Sequence, residues 1–321
     1  MSEKRSGTFY AKILLFGEYS ILCDSMGLSI PFTHFKGELN FHEGELGTAP
    51  EFVRESNQSL KDFAAHLREL REKGSLLFEI DIDRLDEDIA RGLFFESNIP
   101  QGYGIGSSGA LVASLYSSYA IDPILPAARL GKKKVSQLRN IFAQMESYFH
   151  GMSSGIDPLN CYISHPLLIE KRDDIKTIGM KQQAEAGKGT IFLVNTGLPG
   201  NTGPMVNLFL EQCRDDGYLS NIRNELVPLT ESCIKSIVKG DIDRFFYSLK
   251  GLSKFFLRHM EPMIPQRFHH LWKHGIETGE YYLKLCGSGG GGYLLGFTED
   301  FEKTNDFFKK QEMELIPVNH F

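Results

Sequence analysis

No stretch of the 321 residues approaches the roughly 20 consecutive apolar residues that a membrane-spanning helix requires, so no membrane partner is expected. Cysteine is scarce. The five present (Cys23, Cys161, Cys213, Cys233 and Cys286) are odd in number, scattered, and never at C-x-x-C spacing. That excludes a zinc ribbon or a disulfide framework and fits a reducing, cytoplasmic location. Positive charge is in deficit, with 35 Lys and Arg against 41 Asp and Glu and a net charge of −6. No nucleic acid partner is expected from such a balance, although local donors can still hold an anionic small molecule. The phosphate-loop pattern G-x-x-x-x-G-K-[ST] is absent, as are internal repeats and low-complexity linkers. The first residues, MSEKRSGTFYAKILLFGEY, lack a long apolar core and a small-residue cleavage site, and they read as the start of the fold.

What is present is an ordinary globular composition, 41% hydrophobic and 24% charged, with mixed periodicities. Thr8–Phe16 reads as a strand ending at Gly17, followed by a region of weak pattern. Ser59–Lys73 reads as an amphipathic helix opened by a serine cap, and Ser75–Asp83 alternates like a strand. A glycine-rich turn, Gly102–Gly109, runs into a helix over Ala110–Tyr119. Val135–Phe149 places Leu138, Phe142, Met145 and Phe149 on one helical face, and Thr190–Asn195 is a buried-strand run. Helices are expected around Met205–Arg214, Asn224–Val238 and Asp241–Phe256. Strands are expected at Tyr281–Leu285 and Tyr293–Phe297, on either side of the glycine run Gly287–Gly292. Without a regular βαβ rhythm the fold class is α+β, with two domains, 1–190 and 191–321.

The two glycine clusters carry a chemical implication. In Pro100–Ala110, Gly102, Gly104, Gly106 and Gly109 let several N–H groups converge, and the following helix start adds free N–H groups and partial positive charge. Ser107 and Ser108 stand where a hydroxyl could meet phosphate or a bound Mg²⁺. A plain glycine-rich loop with a serine cap is the competing reading. Gly104–Gly109 also satisfies the dinucleotide pattern G-x-G-x-x-G, but no strand feeds it and no acid follows about 20 residues later. The second cluster puts four consecutive glycines between two apolar strands. A hairpin needs only two such residues, so the excess suggests a ligand-facing loop, with a simple hairpin as the alternative.

Three charged residues complete the set. Lys12 lies inside an apolar strand, where an ammonium either snorkels out or pairs with an acid. Asp157 sits in the polar turn Gly151–Asp157, with Pro158 expected to stop helix continuation, and by itself it reads as a turn residue. Glu146 falls at the edge of the apolar stripe of its helix, either a solvated boundary or a hard oxygen ligand for Mg²⁺ at a cleft.

In order along the chain these segments resemble the GHMP kinase superfamily, and within it most closely the mevalonate kinases. Lys12-Ile-Leu-Leu-Phe-Gly-Glu-Tyr-Ser-Ile-Leu22 resembles the first motif and Pro100–Ala110 the phosphate-binding second motif. Gly287–Gly292 resembles the third, and Glu146–Asp157 the glutamate-to-aspartate segment between them. The resemblance implies a ribosomal protein S5 domain 2-like N-terminal domain that binds ATP and a ferredoxin-like C-terminal domain. It implies transfer of the terminal phosphate of ATP, with Mg²⁺, to a small acidic metabolite, foremost the 5-hydroxyl of mevalonate. Phosphomevalonate or a sugar is the alternative acceptor, and a non-catalytic nucleotide-binding regulator is a more distant one. By the same resemblance Asp157 and Lys12 are catalytic, and Glu146 with Ser107 or Ser108 holds Mg²⁺. Gly102, Gly104, Gly106, Ser107, Ser108 and Gly109 cradle the triphosphate. Glu18, Tyr19, Gly289 and Gly290 face the acceptor. Two departures stand out: Tyr19 replaces a frequent histidine, and Gly200 replaces a frequent arginine. Oligomeric state is left open, a homodimer included.

Overall fold

The computed structural model describes residues 7–127, 130–171, 174–179 and 189–320. In chain order the elements are β1 (Phe9–Phe16), β2 (Gly27–Phe41), α1 (Glu51–Glu72), α2 (Ile82–Ala90), β3 (Leu93–Ser97), α3 (Ser107–Tyr119), α4 (Lys132–His150), α5 (Ile156–Ile163), β4 (Leu167–Lys171), β5 (Asp174–Thr177) and β6 (Thr190–Asn195). Then follow α6 (Thr202–Gln212), α7 (Asp216–Asn221), α8 (Val227–Lys239), α9 (Ile242–His259), α10 (His269–Thr278), β7 (Tyr282–Leu285), β8 (Tyr293–Thr298), α11 (Phe301–Lys309) and β9 (Leu315–His320). Among the described residues no helix is long and apolar enough to cross a membrane.

The chain forms two compact units. One gathers Met1–Lys12, Pro31–Ile99 and Gly106–His165; the other gathers Ile13–Ile30, Pro100–Ile105 and Pro166–Phe321. The expected boundary near residue 190 divides the chain by order, whereas these units interleave, the chain passing from one to the other within β1 and again close to the first glycine cluster.

In the first unit Gly37–Phe41 of β2 pairs antiparallel with β3, Gly37 opposite Ser97 and Phe41 opposite Leu93. Helix α1 covers this layer through Val53, Leu60, Phe63, Ala64 and Leu67, a buried stripe at helical spacing. The helix starts at Glu51, behind Pro50, and not at Ser59 as the sequence suggested. The reason is Asn57, a polar residue on the buried face. Its side-chain amide donates to the carbonyls of Ile89 (2.9 Å) and Leu93 (2.7 Å), tying the end of α2 to the start of β3.

The strand expected at Ser75–Asp83 is absent apart from a single bridge between Ile80 and Ala120. Capping overrides alternation there. The Asp81 carboxylate accepts from the Arg84 N–H at 3.1 Å, and α2 begins at Ile82. Pro158 likewise does not end a helix. It lies in the first turn of α5, where a missing N–H costs nothing.

In the second unit Gly27–Ser29 pairs antiparallel with β4, which pairs with β5. A separate antiparallel sheet has the order β7-β8-β6-β9. Its register sets Thr190 opposite Thr298 and Asn195 opposite Tyr293. Strand β6 is central and buries Ile191–Val194 without alternation, as a strand covered on both faces does. Phe16, Phe245 and Phe297 form an aromatic cluster with ring centroids 5.5–5.9 Å apart, joining the end of β1 to α9 and β8. The expected strands at 281–285 and 293–297 and the expected helix at 241–256 all correspond to observed elements.

Truncating Asn57 takes the amide donor from the buried Leu93 carbonyl, while the Ile89 carbonyl keeps the Gly92 N–H at 3.1 Å. Asn57→Ala is expected to lower unfolding stability by about 2 kcal/mol, measurable by urea titration at constant m-value. A shift within experimental error would show that water replaces the amide.

Candidate active site

Within the first unit the side chains of Lys12 and Asp157 meet. Lys12, on β1, is 4% exposed, and its Nζ lies 2.8 Å from Asp157 Oδ2; the Asp157 side chain is 39% exposed. One partner is held and the other is presented. The ammonium thus has the acid that its burial demands, while the carboxylate keeps an open edge for chemistry.

Glu146, near the end of α4, is 4% exposed. Its carboxylate accepts from Ser108 Oγ at 3.1 Å and from Ser153 Oγ. Burial, reinforced by the negative charge of Asp157, pushes its pKa up to about 7, against the pull of the two hydroxyls and Lys12. The edge position read from sequence is therefore a buried one. Ser107 opens α3, but it is Ser108 that reaches Glu146. Among the described residues no group of three or more His, Cys, Asp or Glu is placed to hold a metal ion. A buried carboxylate disfavoured by a neighbouring one, with a serine hydroxyl alongside, nevertheless suits Mg²⁺. That ion uses one or two carboxylates and takes its remaining ligands from water and phosphate.

Close backbone approach sets these positions. A Cβ on Gly109 would stand 2.9 Å from Pro158 N and 3.0 Å from Asp157 C, so the starts of α3 and α5 touch there. Gly106, at φ +86°, caps α3, and a Cβ on it would meet Lys12 Cγ at 2.9 Å. A Cβ on Gly155, at φ +72°, would meet Arg139 O at 2.2 Å and Ala143 N at 2.7 Å, which fixes the turn before Asp157 against α4. Helix α3 has no side-chain cap, and the partial positive charge at its N-terminus favours an anion.

The second unit collects the other expected residues. Glu18 and Lys284 form an ion pair at 2.6 Å in which neither side chain is more than 2% exposed. Tyr19 donates its hydroxyl to Ser288 O at 2.6 Å and packs its ring on Phe209 at 4.6 Å between centroids. Glu18, expected to line the acceptor pocket, is thus committed to an internal partner. The glycine run is packed against protein backbone. Gly290 N–H donates to Met263 O and Gly292 N–H to Leu198 O, both at 2.6 Å. A Cβ on Gly289 would meet Met263 O at 2.5 Å, and one on Gly291 would meet Pro199 O at 2.6 Å. Gly102 O accepts from Gly200 N–H at 2.8 Å, and a Cβ on Gly104 would stand 3.1 Å from Cys286 O. Gly200 has a structural reason as well: a Cβ there would sit 3.2 Å from Gly102 O and 3.3 Å from Gly289 O. The excess of glycine in both clusters thus serves contacts between the protein's own loops.

Sequence reading missed Lys284 and Ser153. A signal for Lys284 existed, since it stands inside an apolar strand just as Lys12 does. Ser153 lies in a polar turn and carried none.

Residues 63–164 match the family model described as GHMP kinases N terminal domain. No curated protein matches the sequence of the chain. Among solved structures, the chain is similar to a Leishmania major mevalonate kinase in complex with R-mevalonate, with TM-score 0.65 and 15% identity over 99% of this chain and 97% of that one. It is also similar to a Streptococcus pneumoniae phosphomevalonate kinase in complex with phosphomevalonate and AMPPNP, with TM-score 0.62 and 14% identity over 97% and 98%. A Lactococcus lactis galactokinase complexed with galactose gives TM-score 0.61 and 13% identity over 98% and 92%. The mixed helix-and-sheet fold is that of GHMP kinase structures, and the matched residues 63–164 include the second motif and the Glu146–Asp157 segment.

The raised pKa of Glu146 has a sign that can be tested without ligands. Its folded value, about 7, lies above the 4.5 of an unperturbed carboxyl, so the native state binds this proton more tightly. The associated stability is complete below pH 4.5 and is lost as pH rises through 7. Metal-free wild-type protein should therefore show a falling thermal midpoint over this window, and Glu146→Gln should flatten the fall. The same slope in the variant would assign it to another group.

Proposed function

From a GHMP kinases N-terminal domain over residues 63–164 and a fold shared along the whole chain with GHMP kinases, we propose that this protein is an ATP-dependent small-molecule kinase whose acceptor is mevalonate. The observation that carries the reading is the buried Lys12 paired at 2.8 Å with a half-open Asp157, next to Glu146 and Ser108 at the start of a glycine-capped helix. Phosphoryl transfer needs that combination: an oriented acceptor oxygen, a cation beside it, and donors for the phosphate charge.

In this reading Asp157 accepts the hydrogen bond of the acceptor hydroxyl and aligns its oxygen with the terminal phosphorus of ATP. Lys12 holds the Asp157 carboxylate in place and stabilises negative charge on the acceptor oxygen as the new P–O bond forms and the bond between the terminal phosphorus and the departing ADP breaks. The proton leaves towards Asp157, whose exposed edge returns it to solvent. The positive end of α3, with Ser107 and the backbone at Gly106, holds the triphosphate. Glu146 and Ser108 would hold Mg²⁺, which supplies neutralising charge between the phosphates when bound. Because the transition state is loose, alignment by Asp157 counts for more than its basicity.

Acceptor identity rests on the likeness of the first motif and of the Glu146–Asp157 segment to mevalonate kinases. The test is Mg²⁺-dependent ATP consumption with mevalonate, phosphomevalonate, galactose and homoserine. Turnover on mevalonate alone is expected; turnover on another member would keep the kinase and move the acceptor. ATP bound without turnover on any of the four would favour a regulator. Asp157→Asn should leave ATP affinity nearly unchanged and lower turnover by about two orders of magnitude or more. Near-normal turnover would remove Asp157 from the chemistry. Glu146→Gln should raise the Mg²⁺ concentration needed for half-maximal rate, and an unshifted titration would place the metal elsewhere.

A further inference from the structure

Lys284 and Glu18 have no part in the chemistry above, yet they form the most deeply buried ion pair among the described residues. A pair of this kind contributes little net stability compared with apolar side chains of similar size, so its retention calls for another reason. Its surroundings supply one. Lys284 Nζ donates to Glu18 Oε1 at 2.6 Å and to Leu285 O at 2.7 Å, and lies 5.6 Å from the centre of the Phe16 ring. The backbone N–H of Gly287, the first residue of the glycine run, also favours the charged form of the Glu18 carboxylate, against the burial that raises its pKa. The next residue, Tyr19, bonds Ser288 O, the next position of that run. Two consecutive residues after β1 therefore grip two consecutive residues after β7.

The grip holds an unfavourable backbone. Tyr19 adopts φ 62° and ψ −43°, and Ser20 N–H donates to Glu18 O at 2.7 Å. This is a γ-turn of positive φ, a rare and strained conformation for a residue with a side chain. Strain of this type persists only where the surroundings over-determine it, and it concentrates at ligand-handling segments. The over-determining contacts are the Lys284–Glu18–Gly287 chain on one side of the turn and the Tyr19 hydroxyl and ring on the other.

We infer that Lys284 is a positioning residue: acting through Glu18, it locks the strained turn at Tyr19 onto Gly287 and Ser288 and so sets the shape of the glycine loop to which the motif resemblance assigns the acceptor. The acceptor role of that loop rests on the kinase reading; the locking does not. Glu18 accordingly serves the loop from behind and does not bind substrate.

The test replaces the pair with apolar residues, Glu18→Met with Lys284→Met, so that no buried charge is stranded, and uses Tyr19→Phe as an independent variant. Amide hydrogen exchange across Gly287–Gly292 and Gly17–Ile21 is expected to quicken by about tenfold or more in the double variant, with a thermal midpoint at or above wild type. Acceptor KM should rise about tenfold while the KM for ATP stays within about twofold. Tyr19→Phe should speed exchange at Ser288 and Gly289. Wild-type exchange in the loop together with wild-type acceptor KM in the double variant would overturn the assignment. If that variant does not fold, unchanged loop exchange in Tyr19→Phe overturns it. If wild-type protein turns over no acceptor, the kinase reading fails, and the exchange measurements still decide the locking role.

Discussion

At residue 109 there is no space for a side chain, and the geometry of the first unit follows from that. A Cβ would fall within 3.0 Å of the backbone joining Asp157 to Pro158, so helices α3 and α5 start in contact. Gly106 allows the same closeness to the stem of Lys12, and Gly155 to the backbone of α4. These three contacts bring side chains from β1, α3, α4 and α5 to one place. Lys12, Ser108, Glu146 and Asp157 meet because their backbones can approach closely enough for short side chains to span the gaps.

Both units bury charge, with opposite outcomes. Lys12 is enclosed, but its partner Asp157 keeps an open edge; the pair can take part in chemistry because one member still meets what comes from outside. Lys284 and Glu18 are both closed off, bonded to each other and, from Lys284, to Leu285 O. Exposure of the acid thus separates a reactive pair from a structural one, although in sequence both lysines look alike, each set in an apolar strand.

Legibility in the sequence tracked the range of the interaction that decides each feature. Strand β6 was readable because a run of apolar residues needs no partner to be recognised, and α9 because its buried face repeats within the helix itself. Helix α1 was cut short in the reading because Asn57 sits on the buried face, and its reason, the carbonyls of Ile89 and Leu93, lies about 30 residues away. The Ser75–Asp83 alternation misled because one local bond, from Arg84 N–H to Asp81, outweighs a weak strand preference. Strand β2 went unread because each half pairs with a different strand in a different unit.

The sequence by itself determined the ordered motifs: a lysine in the first strand, a glycine-rich helix start, a glutamate and an aspartate eleven positions apart, and a glycine run near the end. That order was enough to suggest the GHMP kinase resemblance, whose fold the chain shares, because residue type and spacing are properties of the chain. Only the tertiary structure decided which groups meet. It put Ser108 on Glu146, where Ser107 was an equal candidate, and it turned Glu18 inward to Lys284. It also filled the space at Gly200 with the backbone of Gly102 and Gly289. Each of these outcomes depends on distances of a few ångströms between segments remote in sequence. Burial and pairing energies are set by those distances, and spacing along the chain carries no record of them.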